Sequence, residues 1–353
     1  MSVTEPARGL ARHEGGPAVT ITCPLDRRRP GNAEDRARLD HLVSRARHRL
    51  AAIGSPEADR TADRLAAAVA RLDLDHPRDA LAIFAAPDLD RTIGLDAPVP
   101  EGVTVGSRFA VAALLAARGS FPSTRVLVCS RARTRCIEIE GGHARERTDS
   151  SFPVAVEPPI EADAPHRDFP LDEHEAAEAA RFVFRAVRRA LETVEATDPR
   201  PLVVVGAARD LAFLREVGNG RLAPIAAVTG NHLHDSPDAI AALVAPAVAQ
   251  AHDRAEAAAV AELREALGAR AVAGVDDVID AARVGRVHRL VVERDLRAGP
   301  IAPAPPNAGF DGSTALDRTD EIVAEVIRHD GEVTVVGTGA LAELGGIACT
   351  TRF

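Results

Sequence analysis

Three features of this chain predict an α/β protein of more than one domain. It is 353 residues long, more than a typical single domain and enough for two or three. Its apolar residues fall into short strand-like runs separated by longer segments of helical spacing. The order of these runs also changes along the chain. A strand with helices comes first, then antiparallel strands, then strand–helix pairs, which is the pattern of mixed sheets flanked by helices.

The first domain is read as residues 1–117, a small α+β unit. Ala18 to Pro24 alternates apolar and polar from Val19, the period of a strand. Asp26-Arg27-Arg28-Arg29-Pro30-Gly31 follows as an arginine-rich turn. Leu39, Leu42, Val43, Ala46 and Leu50 then recur at helical spacing and predict a helix over 33–52. A second helix is expected over 58–72, with strands at 80–85 and 103–105.

The second domain is read as 118–255. Thr124 to Ser130 is a buried-type strand, and Arg135 to Glu140 its hairpin partner. A loop rich in proline and acid spans 150–170, and a helix follows over 172–195. Pro201 to Gly206 reads as a parallel-type strand, 208–217 as a helix and 224–228 as another strand. The third domain, 256–353, opens inside a helical stretch over 239–267, which Pro246 is expected to kink or break. Helices over 274–282 and 317–329 alternate with strands at 285–293, 331–336 and 347–353, around a Pro/Gly loop at 297–313. The result is an α/β/α sandwich.

Composition narrows the function. Hydrophobic residues make up 46% and charged residues 27%, as in ordinary globular proteins. No apolar run reaches the roughly 18 residues of a membrane-spanning helix, and the first twenty residues lack a signal-type apolar core. A cytoplasmic location and no membrane partner are therefore expected. Cys23, Cys129, Cys136 and Cys349 form no CxxC pair, so neither a zinc knuckle nor a disulfide framework is indicated. The net charge of −9 argues against a protein that coats nucleic acid. Yet the chain contains no lysine, so apart from histidine all its basic side chains are arginine, the residue that binds phosphate bidentately. Trp and Tyr are absent and aromatics are 3%, which argues against an aromatic base-stacking platform of the usual single-strand-binding kind.

The densest cluster of reactive side chains is Thr229-Gly230-Asn231-His232-Leu233-His234-Asp235-Ser236-Pro237-Asp238. His232, His234 and Asp235 could bind a metal, since residues two apart on a strand share a face. No fourth ligand of matching spacing is evident. A strand-to-helix turn accounts for more of the residues. Gly230 and Asn231 tolerate a left-handed backbone, Ser236 or Asp235 caps the helix, Pro237 suits its first position and Asp238 suits its positive end.

Five stretches, in this order, resemble the bacterial and archaeal branch of the archaeo-eukaryotic release factor and Pelota-like family. They are Ile21 to Asp26 leading to Arg38-Leu39-Asp40-His41-Leu42; Pro201 to Val217; Gly230-Asn231-His232 with Ser236-Pro237; Ala281 to Val292; and Gly331 to Val335 with the closing 347–353. The resemblance implies three domains, of which the middle one is RNase H-like. The last resembles the kink-turn RNA-binding ribosomal proteins. It implies a ribosome-binding factor that imitates a tRNA, with the ribosome and its rRNA as partners and a translational GTPase as a further candidate partner.

Release-competent members carry a Gly-Gly-Gln loop. Here the sole glutamine is Gln250, within a helical stretch, so that motif cannot exist. Gly141-Gly142-His143 reads as a plain turn. The interval matching the catalytic loop is 150–170, where Pro165-His166-Arg167-Asp168 offers the only polar chemistry. No catalytic residue, metal or cofactor is expected. The alternative is a metal-dependent hydrolase or nuclease in the middle-domain cleft, for which Glu138, Glu140 and Asp210 are the available acids. Gly337-Thr338-Gly339 lacks the third glycine of a dinucleotide fingerprint. The RNA-contacting candidates are Arg27, Arg28 and Arg29 in the first domain and Arg283, Arg286 and Arg289 in the third, with phosphates as their targets.

Overall fold

The computed structural model describes residues 5–120, 123–140, 143–157, 173–299 and 317–352. The Gly141-Gly142 turn, residues 158–170 of the acidic loop with Pro165-His166-Arg167-Asp168, residues 300–313 of the Pro/Gly loop and Phe353 lie outside them. The chain forms two compact units, Met1–Phe121 with Ala255–Phe353, and Pro122–Arg254.

The first unit opens with α1 (Glu5–Ala11), β1 (Ala18–Pro24), α2 (Ala33–Ile53) and α3 (Pro56–Ala70). It continues with β2 (Ala80–Ala86), β3 (Leu89–Leu95), β4 (Gly102–Gly106) and α4 (Ala112–Ser120). The sheet runs β3-β2-β1-β4, all antiparallel, with Ile21 opposite both Ile83 and Val103. One face presents Val19, Ile21, Cys23, Leu81 and Ile83 to Leu39, Leu42, Ala46 and Leu50 of α2 and to Leu65 of α3. Asn32 caps α2 by accepting from the Asp35 N–H, and Gly54, in the left-handed region, ends it. Ser55 caps α3, with Pro56 at its first position.

The second unit contains β5 (Thr124–Cys129), β6 (Arg135–Glu140), β7 (His143–Glu146), α5 (Glu173–Thr197), β8 (Leu202–Gly206), α6 (Ala208–Gly218) and β9 (Ala226–Thr229). Then α7 (Pro237–Ala266) begins. The sheet order is β7-β6-β5-β8-β9; β6 is antiparallel to both neighbours, and β5, β8 and β9 are parallel. By the unit's own strand count this is 3-2-1-4-5 with the second strand reversed, the RNase H-type arrangement the resemblance implies. Leu127, Cys129, Leu202 and Val204 pack against α5 and α6 on one face. Val126, Val128, Val203 and Val205 meet Ile240 and Val244 of α7 on the other. Of the kink or break expected at Pro246, the break does not occur: α7 runs through it. Pro246 and Ala242, the residue one turn back that loses its donor, are both exposed, so water can take up the freed carbonyl.

The rest of the first unit is β10 (Ala271–Ala273), α8 (Val275–Arg283), β11 (Val287–Glu293), α9 (Arg318–Arg328), β12 (Glu332–Val336) and β13 (Ile347–Thr351). The sheet order is β10-β13-β11-β12, with β11 and β12 parallel. Leu290, Val292, Ile347 and Cys349 face α8 and α9. Val291, Val336 and Ala348 face Val260 and Leu263 of α7, which completes an α/β/α sandwich. The core under α8 and α9 is continuous with Phe84, Phe109 and Leu114 from the first 120 residues. Across this joint the Asp320 carboxylate accepts from the Ala112 N–H at 2.8 Å, and Arg108 pairs with Glu325.

Candidate nucleic-acid interface

The arginine turn after β1 is built around two aspartates. Buried Asp35 accepts from the Asp26 N–H and from the Asn32 amide, each at 2.7 Å. Asp26 in turn accepts from the Arg28 N–H at 2.9 Å and from Arg29 Nε at 2.8 Å. The Arg29 hydrogen bond, above all, lowers the Asp26 pKa. Arg27 leans 3.4 Å from Asp79, and Arg29 also lies 3.6 Å from Glu34. Of the three guanidinium groups, only that of Arg28 has no ion pair or hydrogen bond among the described residues.

The third-domain arginines are engaged in the same way. Arg283 grips Glu321 through two nitrogens, at 2.8 and 3.1 Å, and lies 3.9 Å from Asp280. Arg289 pairs with Glu332 at 2.8 Å and with Glu262. Arg286 is not free either. Four of the six expected RNA contacts are thus neutralised by the protein's own carboxylates, and swinging any of them onto a phosphate first requires breaking a surface ion pair, a cost of about 1 kcal/mol or less.

The 230–236 cluster is a strand-to-helix turn leading from β9 to α7. The Gly230 N–H donates to the Gly206 carbonyl at 3.0 Å. A Cβ on Gly230 would sit 2.4 Å from His232 Nε2, so only glycine lets that ring lie against the backbone. His232 Nδ1 is 2.8 Å from an Asp235 carboxylate oxygen. Ser236 Oγ accepts from the Ala239 N–H at 3.2 Å, the cap that the sequence predicts. Arg135 on β6 holds the turn: one guanidinium nitrogen donates to the carbonyls of Leu233 and Asp235, both at 2.8 Å, while the head also pairs with Glu146. Sequence reasoning missed Arg135, since its partners lie about a hundred residues away. Asn231 and His234 stay exposed. Among the described residues no three His, Cys, Asp or Glu side chains are grouped to hold a metal ion.

The acids of the nuclease alternative are likewise occupied. Glu138, buried in β6, is surrounded by Arg147 at 2.8 Å, Arg145 at 3.3 Å and Arg125 at 3.6 Å. Burial would raise its pKa, but hydrogen bonds from Arg147 and Arg145 and the charge of Arg200 pull it below the ordinary value. Fully buried Arg125 is itself held by Glu195 and Asp198, Glu140 pairs with Arg200, and Asp210 lies 3.1 Å from Arg131. A two-metal site needs carboxylates free to face a cation, and these face guanidinium groups. Gln250 projects from the exposed side of α7. At the end of β12 the Gly337 N–H donates to Glu256, so an acid stands where a dinucleotide phosphate would have to approach.

Residues 125–286 match the model of bacterial archaeo-eukaryotic release factor family 3. That span is just under half of the 353-residue chain and bears out the resemblance read from the sequence. No curated protein matches. Among solved structures, the archaeal translation termination factor aRF1 is 15% identical, with 98% of this chain and 96% of that chain covered, at a TM-score of 0.25. Dom34 of S. cerevisiae is 12% identical over 75% and 74%, at 0.42. A ribosome-bound archaeal Pelota is 16% identical over 75% and 72%, at 0.43.

Proposed function

We propose that this protein is a cytoplasmic, ribosome-binding factor of release-factor type that does not itself catalyse peptide release, and that it acts in ribosome rescue, hibernation or quality control. The observation that carries the reading is the family match over 125–286 in a chain whose single glutamine, Gln250, lies within α7. Residues 1–117, 118–255 and 256–353 serve as three functional domains, rRNA phosphates are the targets of its arginines, and a translational GTPase is the candidate delivery partner. No helix of the described residues is long and apolar enough to cross a membrane. The hydrolase alternative loses ground because Glu138, Glu140 and Asp210 are occupied by arginines.

Pelleting of purified protein with ribosomes tests the reading. Co-pelleting at low salt, lost at high salt and unaccompanied by hydrolysis of peptidyl-tRNA, is the expected result. Failure to associate with ribosomes from growing, stressed or stationary cells overturns it.

A further inference from the structure

We propose that the solvent face of α2 is the surface by which the first unit grips the phosphate backbone of RNA, a proposal that rests on the ribosome-binding reading and names the surface it uses. His41, Ser44, Arg45 and His48 recur at i, i+3, i+4 and i+7 and so form one stripe, with Arg47 on its flank. From His41 to Pro56 the chain carries no acid, although acids outnumber arginines 52 to 43 in the whole sequence. None of the side chains of His41, Arg45, Arg47 and His48 has a hydrogen bond or ion pair among the described residues. This sets α2 apart from the turn before it, where Arg27 and Arg29 are committed to Asp79 and Asp26. It also differs from the neighbouring α3, where Arg60 pairs with Glu57 and Arg64 with Asp90.

The stripe stands on a rigid base. Leu39, Leu42, Ala46 and Leu50 bury the opposite side of α2 in the sheet, and Arg49 donates to the Val103 carbonyl at 2.8 Å. Seven residues of helix span about 10 Å, the axial length of roughly three phosphates on one strand of a duplex. The unpaired guanidinium groups here meet a phosphate without first giving up a carboxylate, and their forked donors match its oxygens.

Affinity for ribosomes and for a short fluorescent RNA duplex, measured across salt concentrations, tests this. The α2 pair Arg45→Glu with Arg47→Glu, and separately His41→Ala with His48→Ala, are compared with an α3 control of equal charge change, Arg60→Glu with Arg64→Glu. All these side chains are exposed except Arg45, which is half-buried, and circular dichroism checks that each variant is folded. The α2 charge reversal is expected to weaken RNA binding by about tenfold or more. It should also flatten the salt slope by about 0.9 for each phosphate that the variant no longer neutralises, whereas the α3 control stays within about threefold of wild type. Equal weakening by the two charge reversals, an unchanged α2 variant, or wild-type protein that binds anionic phospholipid vesicles but no RNA each overturns the proposal. Wild-type protein that binds the duplex through α2 yet ignores ribosomes leaves the stripe standing and removes the ribosome-binding reading.

Discussion

Arg135 fixes the 230–236 turn more than any residue within it. Its guanidinium satisfies two backbone carbonyls and one carboxylate at a side chain that is 9% exposed. Hydrogen bonds from a charged donor contribute about 1.5–3 kcal/mol, and Arg135→Ala is expected to lower the stability of the second unit by about that much in urea unfolding. His232 has the opposite standing, since its ring closes on Asp235 within the turn. Purified protein should hold no stoichiometric zinc or manganese, and a joint His232→Ala, His234→Ala change should leave its metal content unaltered; metal present in wild type and missing from that variant contradicts the turn assignment. At this scale the sequence was legible wherever the physics is local. Ser236 with Pro237 announced the helix start because capping involves residues three apart. The pairing of Arg283 with Glu321 or of Arg289 with Glu262 could not be read, because each joins residues 38 and 27 apart.

Elements with strong periodicity were legible as well: β1, α2 and α9 lie within a residue or two of the expected bounds. The strands β3, β7 and β10 were not. They are sheet edges, short or polar on both faces, and lack the alternation that a half-buried strand imposes. The acid-free run over α2 was visible in the sequence too, but that no carboxylate among the described residues pairs with it is a matter of three-dimensional packing. The packing of α9 against α4 yields a pH prediction. Burial raises the Asp320 carboxyl from 3.8 to about 6, against hydrogen bonds from the Ala112 and Val111 N–H groups and the charge of Arg297, with Asp317 adding to the rise. A carboxyl raised in the folded state binds its proton more tightly when folded. Its contribution to stability is therefore full below its unfolded value near 3.8 and is lost as pH rises through about 6. The difference amounts to about 3 kcal/mol at most, and Asp320→Asn should flatten the stability profile of the first unit between those pH values. A variant whose thermal midpoints track wild type across that range contradicts the assignment.

At the scale of the whole molecule, an acidic protein is proposed to bind an acidic partner. The net charge of −9 works against that association at long range, so productive binding depends on where unpaired cations are exposed rather than on their number. Internal pairing consumes most of the arginines singled out in the sequence, while Arg28 and the α2 stripe have no ion pair among the described residues. That residues 1–121 and 255–353 share one core was hidden from the sequence, since Phe84 and Phe109 meet the α9 side of the joint only in three dimensions. The match over 125–286 is to a family of release-factor type, and the sole glutamine of the chain, Gln250, lies within α7. The salt dependence of ribosome affinity for the full chain is the most direct test. Association at low salt is expected, with an affinity whose logarithm falls linearly with the logarithm of salt concentration and a slope worth at least about two neutralised phosphates. Absence of association at low salt, or an affinity indifferent to salt, would contradict it.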